Sequence, residues 1–155
     1  MNALQDFYPD DFAHCYGCGR LNANGHHIRT EWLDGEGVAS FTPRPEHMAL
    51  PGFVYGGLLA SLVDCHAMAT AAGASMAAEG KTPGIDPTPR FVTGSLQVDY
   101  LRPTPLGPPL TLRGRAVEIG ARKVIVEVTV SVGAEDCVRG RVVAVKMPSS
   151  MRAAG

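Results

Sequence analysis

Apolar and small residues fill the middle of the chain almost without interruption. The run at 58–78 follows two glycines, Gly56 and Gly57, and has apolar or small residues on nearly every face. This pattern predicts a helix that is buried on most sides. A helix of about 20 residues is ~30 Å long, roughly the width of a sheet of several strands. The central predicted element is therefore one long buried helix.

The pattern becomes alternating after this helix. It is clearest in Lys123–Val132, where every second residue from Val124 is a valine and most of the residues between them are polar. Alternation with a period of two predicts a strand with one buried face. Turn-forming residues separate the strand candidates, and Asp34 to Gly37 reads as a hairpin turn. The predicted strands are 28–32 and 38–42 before the helix, and 90–101, Leu110–Ile119, Lys123–Val132 and 137–147 after it.

Two strands, one long helix and four strands predict an α+β fold. An antiparallel sheet of about six strands can wrap its apolar face around the helix. The 155 residues are enough for one domain with its own core. We expect a single domain over 1–155, with an N-terminal arm at 1–27 that contains a Cys-x-x-Cys turn, a stiff loop at 79–89 and a frayed tail at 148–155.

Composition narrows the classes of function. Fourteen Lys and Arg residues balance fifteen Asp and Glu residues, so neither nucleic acid nor a membrane is an expected partner. The first residues lack a basic segment followed by an apolar run, and the apolar helix contains Asp64 and His66. We therefore expect no signal peptide, no spanning helix and a cytoplasmic protein. The spacing of the four cysteines does not indicate a disulfide framework.

Asp64 is the main anomaly in the pattern. It lies between Val63 and Cys65 in the predicted buried helix, where an unpaired charge costs several kcal/mol (roughly 2–7 even for a merely polar group). Either a buried partner satisfies this carboxylate for structural reasons, or it has a chemical function. His66, two residues further on, faces another side and is predicted to be a core or interface histidine.

The motifs around Asp64 resemble those of hotdog-fold acyl-CoA thioesterases of the PaaI-like group. In that family a His-Gly-Gly opens the central helix, and an acidic residue follows after six residues; Gly57 and Asp64 match this spacing. The resemblance covers about 14 to 147. It is also carried by Cys15-Tyr16-Gly17-Cys18-Gly19 with Asn22 and Gly25, by Asp99-Tyr100-Leu101-Arg102-Pro103 with Gly107, and by Gly120-Ala121-Arg122-Lys123-Val124.

The resemblance implies hydrolysis of an acyl-CoA to a free acid and CoA, without a cofactor. Asp64 would activate water or attack the carbonyl, and the free N–H of Gly57 at the helix N-terminus would hold the oxyanion. Thr93 would lie near the attacking water. Gly57 and Asp64 are ~10 Å apart along one helix. We therefore expect a site shared between two subunits of a homo-oligomer, a dimer or a dimer of dimers.

Further residues are expected to bind the substrate. Tyr55 stands where the family has histidine, and His47 is a candidate substitute. Ser61 and Met68 share the helix face of Asp64, although core packing is the more ordinary role for Met68. Basic residues at turns would meet the phosphates of CoA. The predicted substrate-binding set is His47, Tyr55, Gly56, Ser61, Met68, Ser95, Arg102, Arg122 and Lys123, with Arg90 a weaker choice.

Three alternatives stay open. The same cleft could belong to a protein that binds acyl-CoA or lipid without catalysis. A dehydratase or hydratase is disfavoured, because Gly56 and Gly57 occupy the region where those enzymes carry an early acid. His14, Cys15 and Cys18 with His26 or His27 offer zinc-type ligands, but one Cys pair is a weak signal. We expect a tight turn there and no metal.

Overall fold

Six strands and one long helix make up the fold in the computed structural model, which describes residues 2–152. The sheet is antiparallel with the strand order β1-β2-β4-β5-β6-β3, and the helix α1 lies across its concave, apolar face. The elements are β1 (Glu31–Leu33), β2 (Glu36–Phe41), α1 (Gly56–Ala78), β3 (Phe91–Tyr100), β4 (Leu110–Ile119), β5 (Lys123–Val132) and β6 (Glu135–Lys146).

This architecture confirms the predicted hotdog fold. The bounds predicted for β4 and β5 are those observed, and β3 and β6 differ by one or two residues at their ends. The strand predicted at 28–32 is wrong in its first part, because pairing begins only at Glu31. Ile28 is buried outside any strand, where its N–H is bonded to the carbonyl of Gly17 in the N-terminal arm.

The helix α1 is buried along most of its length. Tyr55 before it is extended, and Gly80 after it has a φ of +70°, a conformation that ends helices and suits glycine. The expectation that no segment could span a membrane needs correction, since α1 is long and apolar enough by length and composition alone. Most of it is nevertheless covered by the fold, as in a core helix.

Glycines let the helix approach the sheet closely. Gly37 and Gly114 are register partners on β2 and β4, and Gly140 of β6 lies in the same row two strands further on. A side chain at Gly37 or Gly114 would overlap the hydroxyl of Thr70, and one at Gly140 would overlap Val63. The helix approaches the sheet closely at these three positions because glycine carries no side chain there, while Val128 of β5 lies between Gly114 and Gly140 in the row.

A buried polar network ties the N-terminal arm to the core. The backbone N–H of Thr30 donates to Gln5 at 2.8 Å, and the Thr30 hydroxyl lies 2.8 Å from Nδ1 of His66. Nε2 of His66 lies 3.1 Å from the carbonyl of Gly37 and donates to it. Burial lowers the pKa of His66 to about 4. His66 is thus a neutral core histidine with both ring nitrogens bonded.

The two ends of the chain add short turns. The arm contains two short 3-10 helices, Leu4–Phe7 and Asp10–Phe12, and a third such turn, Ser149–Met151, follows β6. Part of the predicted tail is therefore ordered. Residues 153–155 of that tail, like Met1 of the arm, lie outside the described residues.

The strand β3 forms one end of the sheet. Its partner is β6, and its other edge is unpaired within residues 2–152. Seven of its ten residues are exposed, including Leu96 and Tyr100. A long edge strand with exposed apolar side chains is a surface on which a second chain can pair.

Candidate active site

Asp64 lies in the third turn of α1 and is partly buried. The hydroxyl of Thr93 on β3 donates to Oδ1 of Asp64 at 2.5 Å. Burial raises the pKa of the Asp64 carboxyl, and this hydrogen bond from Thr93 opposes the rise. The structure therefore brings two of the predicted catalytic residues into direct contact.

Strand alternation puts Thr93 on the face of β3 that meets the helix. It lies two residues after the buried Phe91 and pairs with the buried Ala144. The next paired residue is Ser95, so that Gly94 is left over in a β-bulge that interrupts the alternation after Thr93. Ser95, predicted to bind substrate, is exposed beyond the bulge and lines none of the cavities described below.

Asp64 lines a small cavity between the helix, β3 and the arm. The cavity has a volume of about 170 Å³. Met68 lies in its wall, as predicted, and so does Arg90, which sequence reasoning ranked below the other cations. Arg90 also stacks on the ring of Tyr8 at 4.8 Å. The lining residues are Cys15, Cys18, Asp64, Cys65, Met68, Arg90, Phe91, Val92 and Thr93.

Gly57 opens onto a different cavity, of about 340 Å³. Its N–H belongs to the first turn of α1 and has no acceptor within the helix. Ser61 donates to the Gly57 carbonyl at 3.0 Å and lies in this cavity. Within one chain Ser61 therefore lines the cavity of Gly57 and not that of Asp64, and its role in binding substrate stays a prediction. The lining residues are Tyr16, His26, Glu46, His47, Tyr55, Gly57, Leu58 and Ser61.

Two side chains modify the surroundings of the Gly57 N–H. The ring of Tyr55 packs so closely on Gly57 that a Cβ there would be 2.5 Å from it. Nδ1 of His47 accepts the N–H of Arg44 at 2.9 Å, so Nε2 carries the proton in the neutral ring. That nitrogen is buried without a hydrogen-bond partner among residues 2–152. His47 thus brings an unused donor to the cavity wall.

Asp64 and Gly57 do not meet within one chain. Each lines its own cavity, and no residue lines both. A carbonyl carbon cannot be attacked from one cavity while its oxygen is held in the other. Asp64 and Gly57 of one chain therefore lie in separate cavities, as their spacing along the helix predicts.

A third and larger cavity lies beside the start of α1. It has a volume of about 510 Å³ and is lined mostly by apolar groups. The hydroxyl of Tyr100 donates to the Gly56 carbonyl at 2.7 Å and joins β3 to the helix start. The lining residues are Ala49, Leu50, Phe53, Val54, Gly56, Leu59, Tyr100, Leu101, Arg102, Pro103 and Thr104.

The predicted phosphate-binding cations are spread out. Arg102 lines the large cavity and pairs with Glu135 at 3.3 Å. Arg122 and Lys123 are exposed in and after the turn between β4 and β5, and they line none of the three cavities. Of these three cations, only Arg102 therefore lines one of the three cavities.

The cysteines form a cluster that the sequence did not reveal. The sulfur atoms of Cys15, Cys18 and Cys65 lie within 4.8 Å of one another. Hydrogen bonds from the thiols of Cys18 and Cys65 lower the pKa of Cys15. The contact between Cys15 and Cys18 raises the pKa of Cys18 to about 12. All four cysteines are free thiols.

The zinc set considered from the sequence is wrong in its histidines. The ring of His26 packs against Tyr16 and His47, at centroid distances of 4.8 and 5.2 Å. Nε2 of His27 contacts the carbonyl of Asn22. Cys65 of the helix joins Cys15 and Cys18 instead. The one signal for this in the sequence was the position of Cys65 next to Asp64.

Comparison with known proteins agrees with this fold. A family model described as the thioesterase superfamily matches residues 51–143. A thioesterase superfamily protein from Shewanella loihica PV-4 is 42% identical, with a TM-score of 0.69 over 91% of this chain and 100% of its own. A search of the curated proteins finds no significant match.

Two more distant structures share the fold. A Streptococcus mutans UA159 protein, solved with bound acetyl CoA, is 18% identical with a TM-score of 0.64, over 77% of this chain and 88% of its own. The E. coli PaaI protein from the phenylacetic acid degradation operon is 17% identical, also with a TM-score of 0.64, over 79% of this chain and 81% of its own. At such identities the likeness concerns the fold alone.

Proposed function

The chain belongs to the thioesterase superfamily, and we propose that it hydrolyses an acyl-CoA to the free acid and CoA. The single observation that carries this proposal is the 2.5 Å hydrogen bond from Thr93 to Asp64 at the wall of a cavity. It provides a carboxylate and an orienting hydroxyl at one place. The proposal needs no bound cofactor for the chemical steps.

Asp64 acts on the thioester carbonyl in one of two ways. As a general base, it takes a proton from water while the water oxygen bonds to the carbonyl carbon. As a nucleophile, it forms an anhydride that water then opens. In both routes the C–S bond breaks and the sulfur leaves as the thiol of CoA after protonation. Thr93 holds the carboxylate through its donated hydrogen bond and fixes its orientation.

The N–H of Gly57 from a second subunit stabilises the oxyanion. The positive end of the helix dipole and an unpaired N–H suit a developing negative charge. The separate cavities of Asp64 and Gly57 support an arrangement that crosses a dimer interface. The open edge of β3 and its exposed side chains offer the surface for such a dimer.

CoA occupies the surface near the start of α1. The large apolar cavity suits the pantetheine arm, and Arg102 at its wall offers a charge to a phosphate. Arg122 and Lys123 remain candidates for the nucleotide phosphates because they are exposed cations at a turn. His47 is the candidate substitute for the family histidine that Tyr55 replaces, because its Nε2 lies without a partner, among the described residues, beside the Gly57 cavity.

A panel of acyl-CoAs of different length, with aliphatic and aromatic acyl groups, tests the function. The released CoA is separated by chromatography, so that the four protein thiols do not interfere. We expect turnover by the wild type and a loss of about 10²–10⁴-fold in Asp64→Asn. Asp34→Asn is the matched control, because Asp34 lies in the β1–β2 turn with a φ of 50° that asparagine also adopts. Equal turnover in both variants would exclude Asp64 from the chemistry.

A non-catalytic acyl-CoA-binding protein is the second candidate. The observation in its favour is Tyr55, whose ring covers Gly57 where the family has histidine. A binder would retain CoA esters with a measurable Kd and show no turnover of any ester in the panel. Titration calorimetry with a CoA thioether, which cannot be hydrolysed, measures binding alone. Asp64→Asn keeps binding in both cases but changes turnover only in an enzyme.

A further inference from the structure

We infer that Cys15, Cys18 and Cys65 form a thiolate metal site suited to Zn²⁺, which clasps the N-terminal arm onto the central helix beside Asp64. The three sulfur atoms come from the arm and from α1, and they lie within 4.8 Å of one another. The ligand set differs from the histidine-containing one considered from the sequence. It stands whether or not the protein hydrolyses thioesters.

The spacing of the sulfur atoms fits tetrahedral coordination. The sulfurs of Cys15 and Cys65 are 3.8 Å apart, and a Zn–S bond of about 2.3 Å in a tetrahedron places two sulfurs about 3.8 Å apart. The Cys15–Cys65 pair therefore already has the separation that a bound ion requires, and Cys18 lies close enough to complete the set after a small shift.

A backbone hydrogen bond closes the turn that carries Cys15 and Cys18. The N–H of Gly19 donates to the Cys15 carbonyl at 2.8 Å. Two cysteines separated by two residues have the spacing of Zn²⁺ ligands in structural sites. The turn therefore brings two thiols together beside Cys65.

Glycine at position 17 lets this turn reach the helix. A side chain at Gly17 would overlap the sulfur of Cys65. A Cβ at Gly19 would lie within 2.6 Å of the backbone of the arm itself. These two glycines bring Cys15 and Cys18 down onto a cysteine that is 50 and 47 positions away in the sequence.

The surroundings supply charge balance and room. Three thiolates and one Zn²⁺ leave a net charge of −1, and Arg90 lines the same cavity. Binding replaces the thiol protons, which are released to solvent. The cavity of about 170 Å³ can hold a water molecule as a fourth ligand, since a water takes about 30 Å³.

Cobalt and zinc reconstitution tests the site. The full chain is reduced, stripped with a chelator and given one equivalent of Co²⁺ without oxygen. We expect one ion per chain, with a near-ultraviolet thiolate-to-cobalt charge-transfer band and tetrahedral d–d bands. Zn²⁺ should displace the cobalt and raise the melting temperature by about 5–10 °C.

Three variants decide the outcome. Cys65→Ala and Cys15→Ser should lose the charge-transfer band and the thermal shift, whereas Cys137→Ala, which removes a free thiol on β6 outside the cluster, should keep both. Melting curves without metal show whether each variant is folded. A wild type that binds no ion while all its thiols stay reactive would overturn the site. A mass lower by two hydrogens, the mark of a disulfide, would also overturn it.

Discussion

A methyl group of Val63 fills the space that a side chain at Gly140 would need. A Cβ built on Gly140 overlaps Cγ1 of Val63 and lies 3.5 Å from its Cβ. Val63 is fully buried in α1, so it has no exposed direction in which to move. The close contact between helix and sheet depends on this pair.

Gly140→Ala is expected to destabilise the fold by about 1–3 kcal/mol, because the added methyl group overpacks the core. Val63→Ala removes the colliding methyl groups, so the same Gly140→Ala change should cost less in that background. Chemical denaturation of the wild type, both single variants and the double variant measures the coupling. Additive costs would show that the two residues do not compete for space.

Thr93→Val is expected to lower kcat by about 10–100-fold, because the valine cannot donate to Asp64. KM should change by less than about twofold if the hydroxyl positions the carboxylate and does not hold the substrate. Thr93→Ser keeps the donor and serves as the matched control. Steady-state kinetics on the best acyl-CoA measures both parameters. Equal losses in the serine and valine variants would contradict the role of the hydroxyl.

A mixture of two inactive variants should recover activity if the site crosses the dimer. Asp64→Asn and Gly57→Pro are denatured together in equal amounts and refolded. Half of the dimers are then mixed, and each mixed dimer has one intact site, so about a quarter of the wild-type rate should return. Proline at the second helical position fits the first turn, and the N–H that it removes is unpaired within the helix.

The ring of Tyr55 complicates the Gly57 variant, since any Cβ at Gly57 meets it. Gly57→Ala supplies the Cβ but keeps the N–H, and it is the control for this contact. It should retain more activity than Gly57→Pro. Light scattering must show that each variant is dimeric. Dimers that regain nothing on mixing would place Asp64 and Gly57 in separate functions.

His66 should make the stability depend on pH. Its pKa is about 4 in the folded protein and about 6.5 when unfolded, so the unfolded state takes up the proton first as the pH falls. The stabilisation is complete above pH 6.5 and is lost towards pH 4. Between pH 8 and pH 5 the free energy of unfolding should fall by about 2 kcal/mol through this residue.

Urea denaturation at several pH values, with a chelator present, measures this loss. His66→Gln cannot titrate and should flatten that part of the profile. Its hydrogen-bond partners, the Thr30 hydroxyl and the Gly37 carbonyl, carry no charge that would mask the effect. His47→Gln is the comparison variant, because His47 also has a pKa lowered by burial but lies at another cavity and leaves His66 intact. Parallel profiles for wild type and His66→Gln would contradict the assignment.

The elements with local patterns can be predicted from the amino-acid sequence. The valines of β5 alternate and the run at 58–78 is apolar on all sides, because a strand repeats every two residues and a buried helix has no polar face. Asp64 was also recognisable, since a carboxylate in such a helix is costly. Its spacing from Gly57 predicts that the two residues lie apart along one helix.

Contacts between residues far apart in the sequence follow only from the folded chain. Thr93 reaches Asp64 because β3 packs its helix-facing side beside α1, and Cys65 meets the Cys-x-x-Cys turn because Gly17 allows close approach. Arg90 lines the cavity of Asp64, whereas Ser61 lines the cavity of Gly57. These contacts depend on strand order and packing across long stretches of chain, which no local periodicity encodes.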